Sequence, residues 1–367
     1  MKSLKFIVLI ALSIALSMPS CKKKDEDKDD TPVLKLFGWA VGGISNSYGL
    51  VMKTSDGGNN WFRQGDSIQL PASGYSDVCI LDTNNVIIAG DSIPGIAGYN
   101  VYRSVDGGTT WNRSGAGLPN VNYGGIFAWD YNNIWIVGDH GTVYFSGDGG
   151  FSWTRKAVPA EYNQDIFLRV TAASPTDIWV VGDQHPADSF PIMLHSTDKG
   201  ENWERLNPIK DLNMVQAKQG HFLSIKIKNN VICALGGSGK FIIRSTDGGA
   251  TWQDITVNAS LGDANDVYPT SGEKAYVVED YGEFYYTMDG GQNYTQYNTG
   301  TNDWLTGIAV LFDYKVWICG NPGGSFENSI IKYSPDGGKT WLDQTPQFMK
   351  DDMAISAYKI RMIAVYN

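Results

Sequence analysis

Three features of the sequence predict an all-β fold built from repeated units. One eight-residue string, Ser/Thr-x-Asp-x-Gly-x-x-Trp/Tyr, occurs seven times along the 367 residues. Its copies begin 42 to 50 residues apart, which matches the repeat length of propeller blades. Short apolar runs of strand composition, such as NNIWIVG and KAYVVED, precede the copies. The sequence therefore predicts a seven-bladed β-propeller of four-stranded antiparallel blades.

The repeated string predicts a tight turn between two strands. Its Asp side chain can accept hydrogen bonds from backbone NH groups of the turn, and the leading hydroxyl adds a further local bond. The second glycine is present in every copy, which indicates a position of positive φ. We expect the closing aromatic residue to pack beneath the turn. The seven structural aspartates are Asp56, Asp106, Asp148, Asp198, Asp247, Asp289 and Asp336.

The two ends of the chain predict how the ring closes. The first unit lacks an inner strand, because the chain enters it directly at KLFGWAVGG. The tail, residues 353–367, has strand composition and carries no copy of the string. We expect this tail to complete the first blade, since joining the two ends removes two exposed sheet edges.

The N-terminal residues predict export and lipid anchoring. Residues 1–20 combine a charged start with an apolar run, as in a signal peptide. The sequence SMPSC resembles the lipobox of bacterial lipoproteins, in which Cys21 would carry the lipid, although Met18 and Pro19 replace the commoner residues. An ordinary signal with an incidental cysteine is the alternative. Residues 21–32 would be the lipidated Cys and a charged flexible tether, and residues 33–367 the propeller. We therefore expect an exported protein anchored in the bacterial cell envelope, at the outer membrane or cell surface.

Composition narrows the classes of partner. The formal net charge of −10 disfavours a nucleic-acid partner. Cys79, Cys233 and Cys319 lie far apart within apolar runs, which predicts buried thiols. The sequence contains no nucleotide-binding, metal-binding or hydrolase motif, so we expect no cofactor and no metal. We expect the protein to be a monomer.

The strings are similar to those of the Asp-box, or BNR, repeat family over residues 35–341. Units such as IWIVGDHGTVYFSGDGGFSW look most like propellers related to the photosystem II stability and assembly factor. Xyloglucanase-like glycoside hydrolases and sortilin-type propellers are more distant members. The resemblance implies that the box is a structural turn away from the active face, and that the propeller binds other proteins. Sialidases of the family use three arginines, whereas only Arg169 and Arg361 lie outside repeat positions here, so we do not expect a sialidase.

Residues outside the repeat pattern define the candidate site. In the family, ligands meet the propeller at a mouth formed by loops that feed the inner strands. Those loops are acidic and aromatic here, and two tryptophans have no repeat position. The predicted binding residues are Tyr75, Asp77, Tyr123, Trp129, Asp165, Arg169, His221, Asp266, Asp303 and Trp304, with Asp263, Asp351 and Asp352 in the same loops.

Two functions fit this pattern. The first is a non-catalytic, membrane-tethered propeller that binds an envelope protein at its mouth. The alternative is a glycan-binding lipoprotein or a glycoside hydrolase, with Asp165 and Asp266 as the candidate acid and base of inverting hydrolysis. Against hydrolysis, an Asp before an inner strand also caps a turn, and it recurs because the blade recurs.

Overall fold

Seven four-stranded antiparallel sheets form the described part of the chain, which confirms the predicted fold class. The computed structural model describes residues 33–44, 49–65, 70, 74–92, 100–114, 117–214, 217, 220–237, 240–257, 262–322, 328–352 and 355–366. The predicted signal peptide, Cys21 and the tether lie outside these residues. Within them, no helix is both long and apolar enough to cross a membrane.

Each blade contributes four strands, numbered in chain order. Blade 1 contains β1 (Leu34–Ile44), β2 (Gly49–Thr54), β3 (Phe62–Arg63) and the last strand, β28 (Ile355–Tyr366). Blade 2 contains β4 (Tyr75–Ile80), β5 (Val86–Gly90), β6 (Val101–Ser104) and β7 (Asn112–Arg113). Blade 3 contains β8 (Tyr123–Asp130), β9 (Asn133–Gly138), β10 (Thr142–Ser146) and β11 (Thr154–Arg155). Blade 4 contains β12 (Phe167–Ala172), β13 (Ile178–Gln184), β14 (Pro191–Ser196) and β15 (Glu204–Leu206).

The remaining blades repeat this order. Blade 5 contains β16 (His221–Lys228), β17 (Val231–Gly237), β18 (Phe241–Ser245) and β19 (Gln253–Asp254). Blade 6 contains β20 (Ala264–Ser271), β21 (Lys274–Glu279), β22 (Glu283–Thr287) and β23 (Thr295–Asn298). Blade 7 contains β24 (Trp304–Leu311), β25 (Lys315–Asn321), β26 (Ile330–Ser334) and β27 (Leu342–Asp343). Two one-turn helices, α1 (Pro208–Asp211) and α2 (Gln347–Lys350), lie in connections between blades.

The C-terminal strand closes the ring as predicted. β28 pairs antiparallel with β1 over its full length, from Leu34 opposite Tyr366 to Ile44 opposite Ile355. It therefore occupies the inner position of blade 1, which the N-terminal part of the chain does not fill. Because the first and last strands pair with each other, neither leaves an unpaired strand edge where the ring closes.

The hydrophobic core lies between neighbouring blades. Trp39, Trp135, Trp179 and Trp317, each in a second strand, are at most 1% exposed. Trp317 of blade 7 packs with Leu50 and Met52 of blade 1, and its indole NH donates to the carbonyl of Gly57 at 3.0 Å. Because each cluster joins two sheets, every blade depends on its neighbours for burial. The three cysteines are free and buried, as predicted, and burial raises the pKa of each thiol to about 12.

The repeated string forms the predicted turn between the third and fourth strands. In blade 2, the Ser104 hydroxyl donates to Asp106 at 2.8 Å and accepts from the NH of Gly108 at 2.7 Å. The carboxylate of Asp106 also accepts from the NH of Thr110 at 2.9 Å. The second glycine has φ between 78° and 98° in all seven copies, where a side chain would strain the backbone.

The turn is also bonded to the connection that follows the inner strand of the same blade. The NH of Gly107 donates to the carbonyl of Asn84 at 2.9 Å, and the NH of Gly337 donates to the carbonyl of Tyr314 at 2.8 Å. The boxes therefore lie on the face of the propeller where the inner strands end. We call this face the strand-end face.

Removal of β28 tests the closure. A chain truncated after Asp352 should aggregate or fail to fold, because β1 and β24 lose their inner-strand neighbour. Size-exclusion chromatography and thermal denaturation check this, with a chain lacking only Asn367 as the control. A soluble, monomeric truncation with an unchanged melting temperature would contradict the arrangement.

Candidate functional site

Every inner strand contains a β-bulge at the equivalent place. In β4, for example, pairing with β5 skips one residue between Tyr75 and Asp77. A bulge leaves one residue unpaired and changes the direction of the side chains after it. The seven residues directly after the bulge, which we call the bulge ring, are Asp77, Gly125, Arg169, Ser224, Asp266, Gly307 and Lys359.

The five side chains of the bulge ring line a central cavity of about 500 Å³. Lys226, Tyr268 and Arg361, each two residues further along an inner strand, also line it. No residue from the first two positions of an inner strand takes part, whereas Lys228, the last residue of β16, does. The central cavity therefore extends toward the strand-end face.

Asp266 is the most connected charge in the central cavity. Its carboxylate lies 3.1 Å from the Lys226 ammonium and 3.2 Å from the Lys359 ammonium, and its side chain has no exposed surface. The Ser224 hydroxyl donates to the same carboxylate at 2.6 Å. Burial alone would raise the pKa of Asp266, but Lys226, Lys359 and Arg361 hold it far below its usual range. The three cations therefore strongly favour the ionised form of Asp266.

Asp77 and Arg361 form a second pair, 3.1 Å apart. The Asp77 carboxylate also accepts from the backbone NH groups of Val78 at 2.9 Å and Ile126 at 3.2 Å. Burial would lower the pKa of Arg361, but Asp77 and Asp266 more than offset this and raise it. This pair joins blade 1 to blade 2 and blade 2 to blade 3.

Arg169 makes no ion pair with any described residue. Its Nη1 donates to the backbone carbonyls of Gly124 at 2.6 Å and Leu168 at 2.7 Å, while its Nε is buried without a hydrogen-bond partner. Burial lowers the pKa of this guanidinium. The wall of the central cavity thus contains a cation whose hydrogen bonds to described residues go only to backbone oxygens, while Asp77 and Asp266 stabilise its charge without a direct ion pair.

Two glycines of the ring permit close contact between neighbouring inner strands. A Cβ at Gly125 would lie 3.0 Å from the Cα of Arg169, and a Cβ at Gly307 would lie 3.2 Å from the Cα of Lys359. In each glycine-bearing strand, a backbone NH donates to an Asp of the preceding blade, and a backbone carbonyl accepts from a cation of the following blade. Lys359 Nζ, for instance, donates to the carbonyl of Thr306 at 3.0 Å, next to Gly307.

Three of the predicted binding residues, Asp77, Arg169 and Asp266, meet in the central cavity. The predicted mouth, formed by loops that feed the inner strands, lies on the opposite face from the one this cavity approaches. Tyr75 and Tyr123 do not line the cavity, because their rings are fully buried in the core between blades. The remaining predicted residues are distributed over both faces.

The two exposed tryptophans lie on opposite faces. Trp304, 43% exposed, begins β24, and Trp129, 47% exposed, is the penultimate residue of β8. His221 begins β16 and is half-buried. Asp263, Asp351 and Asp352 are exposed. Asp303 is buried, accepts a hydrogen bond from the Thr301 hydroxyl and lines a separate cavity of about 240 Å³.

Asp165 does not share a cleft with Asp266. Its side chain is 1% exposed and lies 2.9 Å from Nδ1 of His185, in the connection before β12. Burial raises the pKa of Asp165, although the hydrogen bond from His185 opposes the shift. Asp165 is absent from the lining of the central cavity. The structure therefore does not bring the two candidate catalytic carboxylates together.

The sequence interpretation missed Lys226 and Lys359 and gave Arg361 no role in the site. A signal for them exists in the repeat. The bulge places SDV, GGI, LRV, LSI, NDV, TGI and YKI at equivalent positions, with the ring residue in the middle. Alignment of the inner strands on these triplets would have found the charged positions.

Replacement of Asp266 by Asn tests the role of this carboxylate. The variant should unfold with a free energy lower by about 3–5 kcal/mol, because two buried lysines lose their counter-charge. Denaturant titration measures the change, and Asp263→Asn, exposed and three residues away, is the control. A loss below about 0.5 kcal/mol, the size expected for a surface change, would show that Asp266 does not hold the ring together.

Seven boxed blades and a lined central cavity define the class as a seven-bladed Asp-box propeller. A family model for the photosystem II assembly factor Ycf48 matches residues 119–213. The photosystem II assembly lipoprotein Ycf48 of a Synechococcus species is 24% identical over 199 residues, which cover 52% of this chain and 53% of that protein. The chain is thus similar to Ycf48-type propellers.

Two further comparisons complete this picture. Xyloglucanase Xgh74A of Acetivibrio thermocellus is 30% identical over 179 residues, which cover 46% of this chain and 18% of the enzyme. The structure of Ycf48 bound to a D1 peptide matches with a TM-score of 0.55 and 18% identity, over 73% of this chain and 80% of that one. That likeness shows the fold. The chain spans about half the length of the Ycf48 relative and under a fifth of the xyloglucanase.

Proposed function

We propose that this protein is a non-catalytic propeller that binds another protein and is tethered to a membrane of the bacterial cell envelope. The observation that carries the proposal is that Asp165 and Asp266 are each committed to a structural contact and lie in different places. The similarity to Ycf48-type propellers supports the same conclusion.

The geometry argues against glycoside hydrolysis. An inverting enzyme needs one carboxyl group that gives up a proton and one carboxylate that activates water, across a shared cleft. Asp266 cannot give up a proton near neutral pH, because the surrounding cations keep it ionised. Asp165 has a raised pKa, but its side chain is almost inaccessible. The similarity to a xyloglucanase keeps glycan processing as the alternative to test.

The strand-end face is the surface that we propose for partner binding. It presents exposed aromatic side chains on blade 3, Trp129 and Tyr131, and on blade 7, Phe312 and Tyr314. Aromatic side chains with this exposure are typical of protein contacts. The central cavity, which extends toward the same face, offers positive charge to an acidic segment of the partner. One Ycf48 structure contains a D1 peptide, which is consistent with peptide recognition by this type of propeller.

The membrane tether is proposed from the N-terminal sequence. Lipid on Cys21 would bury its hydrocarbon in a bilayer, and the charged residues 22–32 would separate the propeller from the surface. A propeller that is exported and anchored in this way would meet its partners in the envelope.

In-cell photocrosslinking tests the binding face. A photoreactive amino acid at Trp129 should give a discrete protein adduct, since Trp129 lies on the strand-end face. The same replacement at Trp304, which has similar exposure on the opposite face, should not. Adducts are identified by gel shift and mass spectrometry.

Two results would contradict the proposal. One is adduct formation from Trp304 alone. The other is release of reducing ends from xyloglucan or another polysaccharide by the purified protein, provided that Asp165→Ala abolishes the release. The latter result would establish the glycoside hydrolase alternative.

The lipid anchor has its own test. Cys21→Ser should move the protein from the membrane fraction to the soluble fraction of the envelope, because the serine hydroxyl cannot form the thioether on which lipoprotein maturation depends. Lys22→Ser, the adjacent change, should leave the protein in the membrane fraction. Immunoblots of fractionated cells measure the distribution, and membrane retention of Cys21→Ser would rule out the anchor.

A further inference from the structure

The central cavity contains more positive than negative charge. Five cations line it, Arg169, Lys226, Lys228, Lys359 and Arg361, against the two carboxylates of Asp77 and Asp266. Lys228 pairs with Asp313, which lies outside the lining, at 2.7 Å, so the other four cations give a surplus of two positive charges over the two carboxylates when all four carry their protons. The whole chain has a formal charge of −10, so this surplus is a local feature of the cavity.

Such a surplus of buried positive charge destabilises the folded protein when no anion is bound. A buried charge needs a counter-charge or several hydrogen bonds to offset the loss of water. Arg361 forms an ion pair with Asp77, and Lys226 and Lys359 share Asp266. Arg169, by contrast, donates hydrogen bonds to two backbone carbonyls and makes no ion pair with a described residue. Its buried Nε has no hydrogen-bond partner. The wall therefore holds unused capacity to bind an anion.

The rest of the wall indicates what kind of anion fits. Phe127, Ile225, Val310 and Met362 contribute apolar surface between and beyond the charged groups. The volume of about 500 Å³ exceeds that of a single water many times, since a water occupies about 30 Å³. A compact inorganic ion would leave the apolar wall without contacts. A ligand with hydrocarbon between two anionic groups would use both parts of the wall.

We propose that the central cavity binds a dicarboxylate, with Arg169 holding one of its two carboxylates. Two sources supply this chemistry. One is a free dicarboxylate of about five carbons, and the other is a protein segment that ends in an acidic residue, whose side chain and C-terminal carboxylate form the pair. Only the second source rests on the proposed function. It would identify the partner as a protein with an acidic C-terminal residue.

Binding should depend on the protonation of Lys226. Burial lowers the pKa of Lys226 to about 7, and Asp266 opposes this shift. A bound dianion favours the ammonium form and raises that pKa, so affinity should be highest below about pH 7 and fall as Lys226 loses its proton above it. The charged and titratable groups that face Lys226 are Asp266 and Tyr268 of β20, Lys359 and Arg361 of β28, Arg169 of β12, Asp77 of β4 and Lys228 of its own strand.

Calorimetry on the full chain in detergent tests the proposal. The probes are glutarate, butyrate, inorganic phosphate, and the peptide acetyl-Ala-Ala-Ala-Glu with a free or an amidated C-terminus. Glutarate or the free peptide should bind at least about tenfold more tightly than butyrate, phosphate or the amidated peptide, because only they carry two separate carboxylates joined by hydrocarbon. The affinity should fall by about tenfold from pH 6 to pH 8.5.

Matched variants assign the site. Arg169→Gln should weaken binding by about tenfold or more, since the substitution removes the positive charge and the guanidinium donors that the backbone carbonyls leave free. Arg155→Gln, an exposed change on β11, should leave it unaltered. As a readout that requires no variant, glutarate or the free peptide should raise the melting temperature of the unmodified chain, whereas butyrate should not.

Each outcome decides between possibilities. Preference for glutarate identifies a free dicarboxylate as the ligand, and preference for the free peptide identifies a protein segment. Three results would overturn the dicarboxylate site: all probes bind equally weakly, phosphate binds most tightly, or Arg169→Gln binds with unchanged affinity. None of these results decides whether the strand-end face binds a protein, which the crosslinks from Trp129 test separately.

Discussion

The pairing of β28 with β1 is the contact on which both the fold and the candidate site depend. It completes blade 1 with the last strand of the chain, so the ring closes by backbone hydrogen bonds between residues more than 300 positions apart. The same strand brings Lys359 and Arg361 into the central cavity. Two of the five cavity cations are therefore present only when the ring is closed. Closure and assembly of the charged wall are one event.

The repeated string predicted the fold because each copy encodes a local structure. Hydrogen bonds within the string join its Ser or Thr to its Asp and to the NH of its second glycine. The turn can therefore be recognised without reference to neighbouring blades. Its spacing then fixed the number of blades, and the unpaired tail fixed the closure. These parts of the structure depend on local hydrogen bonding and on the number of copies of the string, and both can be read from a single sequence.

The cavity could be predicted only in part, because it depends on strand register. The sequence interpretation included Asp77, Arg169 and Asp266 as residues near the start of inner strands, and placed them with Tyr75 and Tyr123 at a mouth on the face opposite to the one that the cavity approaches. A β-bulge shifts each inner strand by one residue and separates Asp77 from the buried ring of Tyr75. The ion pairs of Lys359 and Arg361 join residues from distant parts of the chain, so the repeat pattern can reveal these charged positions but not which carboxylate each cation meets.

The boxes also contribute to the candidate binding face, although they do not line the cavity. Box NH groups donate to the connections that follow the inner strands, as Gly107 does to Asn84 and Gly337 to Tyr314. These bonds fix the connections around the end of the cavity, including the one that presents Phe312 and Tyr314. The resemblance to the Asp-box family implied that the boxes lie away from the active face. Here the scaffold turns and the cavity share one face.

Backbone carbonyls explain how the ring can hold a cation without a carboxylate partner. Arg169 Nη1 donates to two of them, and this partial solvation keeps the guanidinium in place against the glycine-bearing strand of blade 3. An arginine has five N–H donors in a fixed plane, so the carbonyls occupy one end of the group and leave other donors for a ligand. A donor set fixed in advance loses little conformational entropy on binding. The bulge ring is thus suited to hold an anion that the protein itself does not supply.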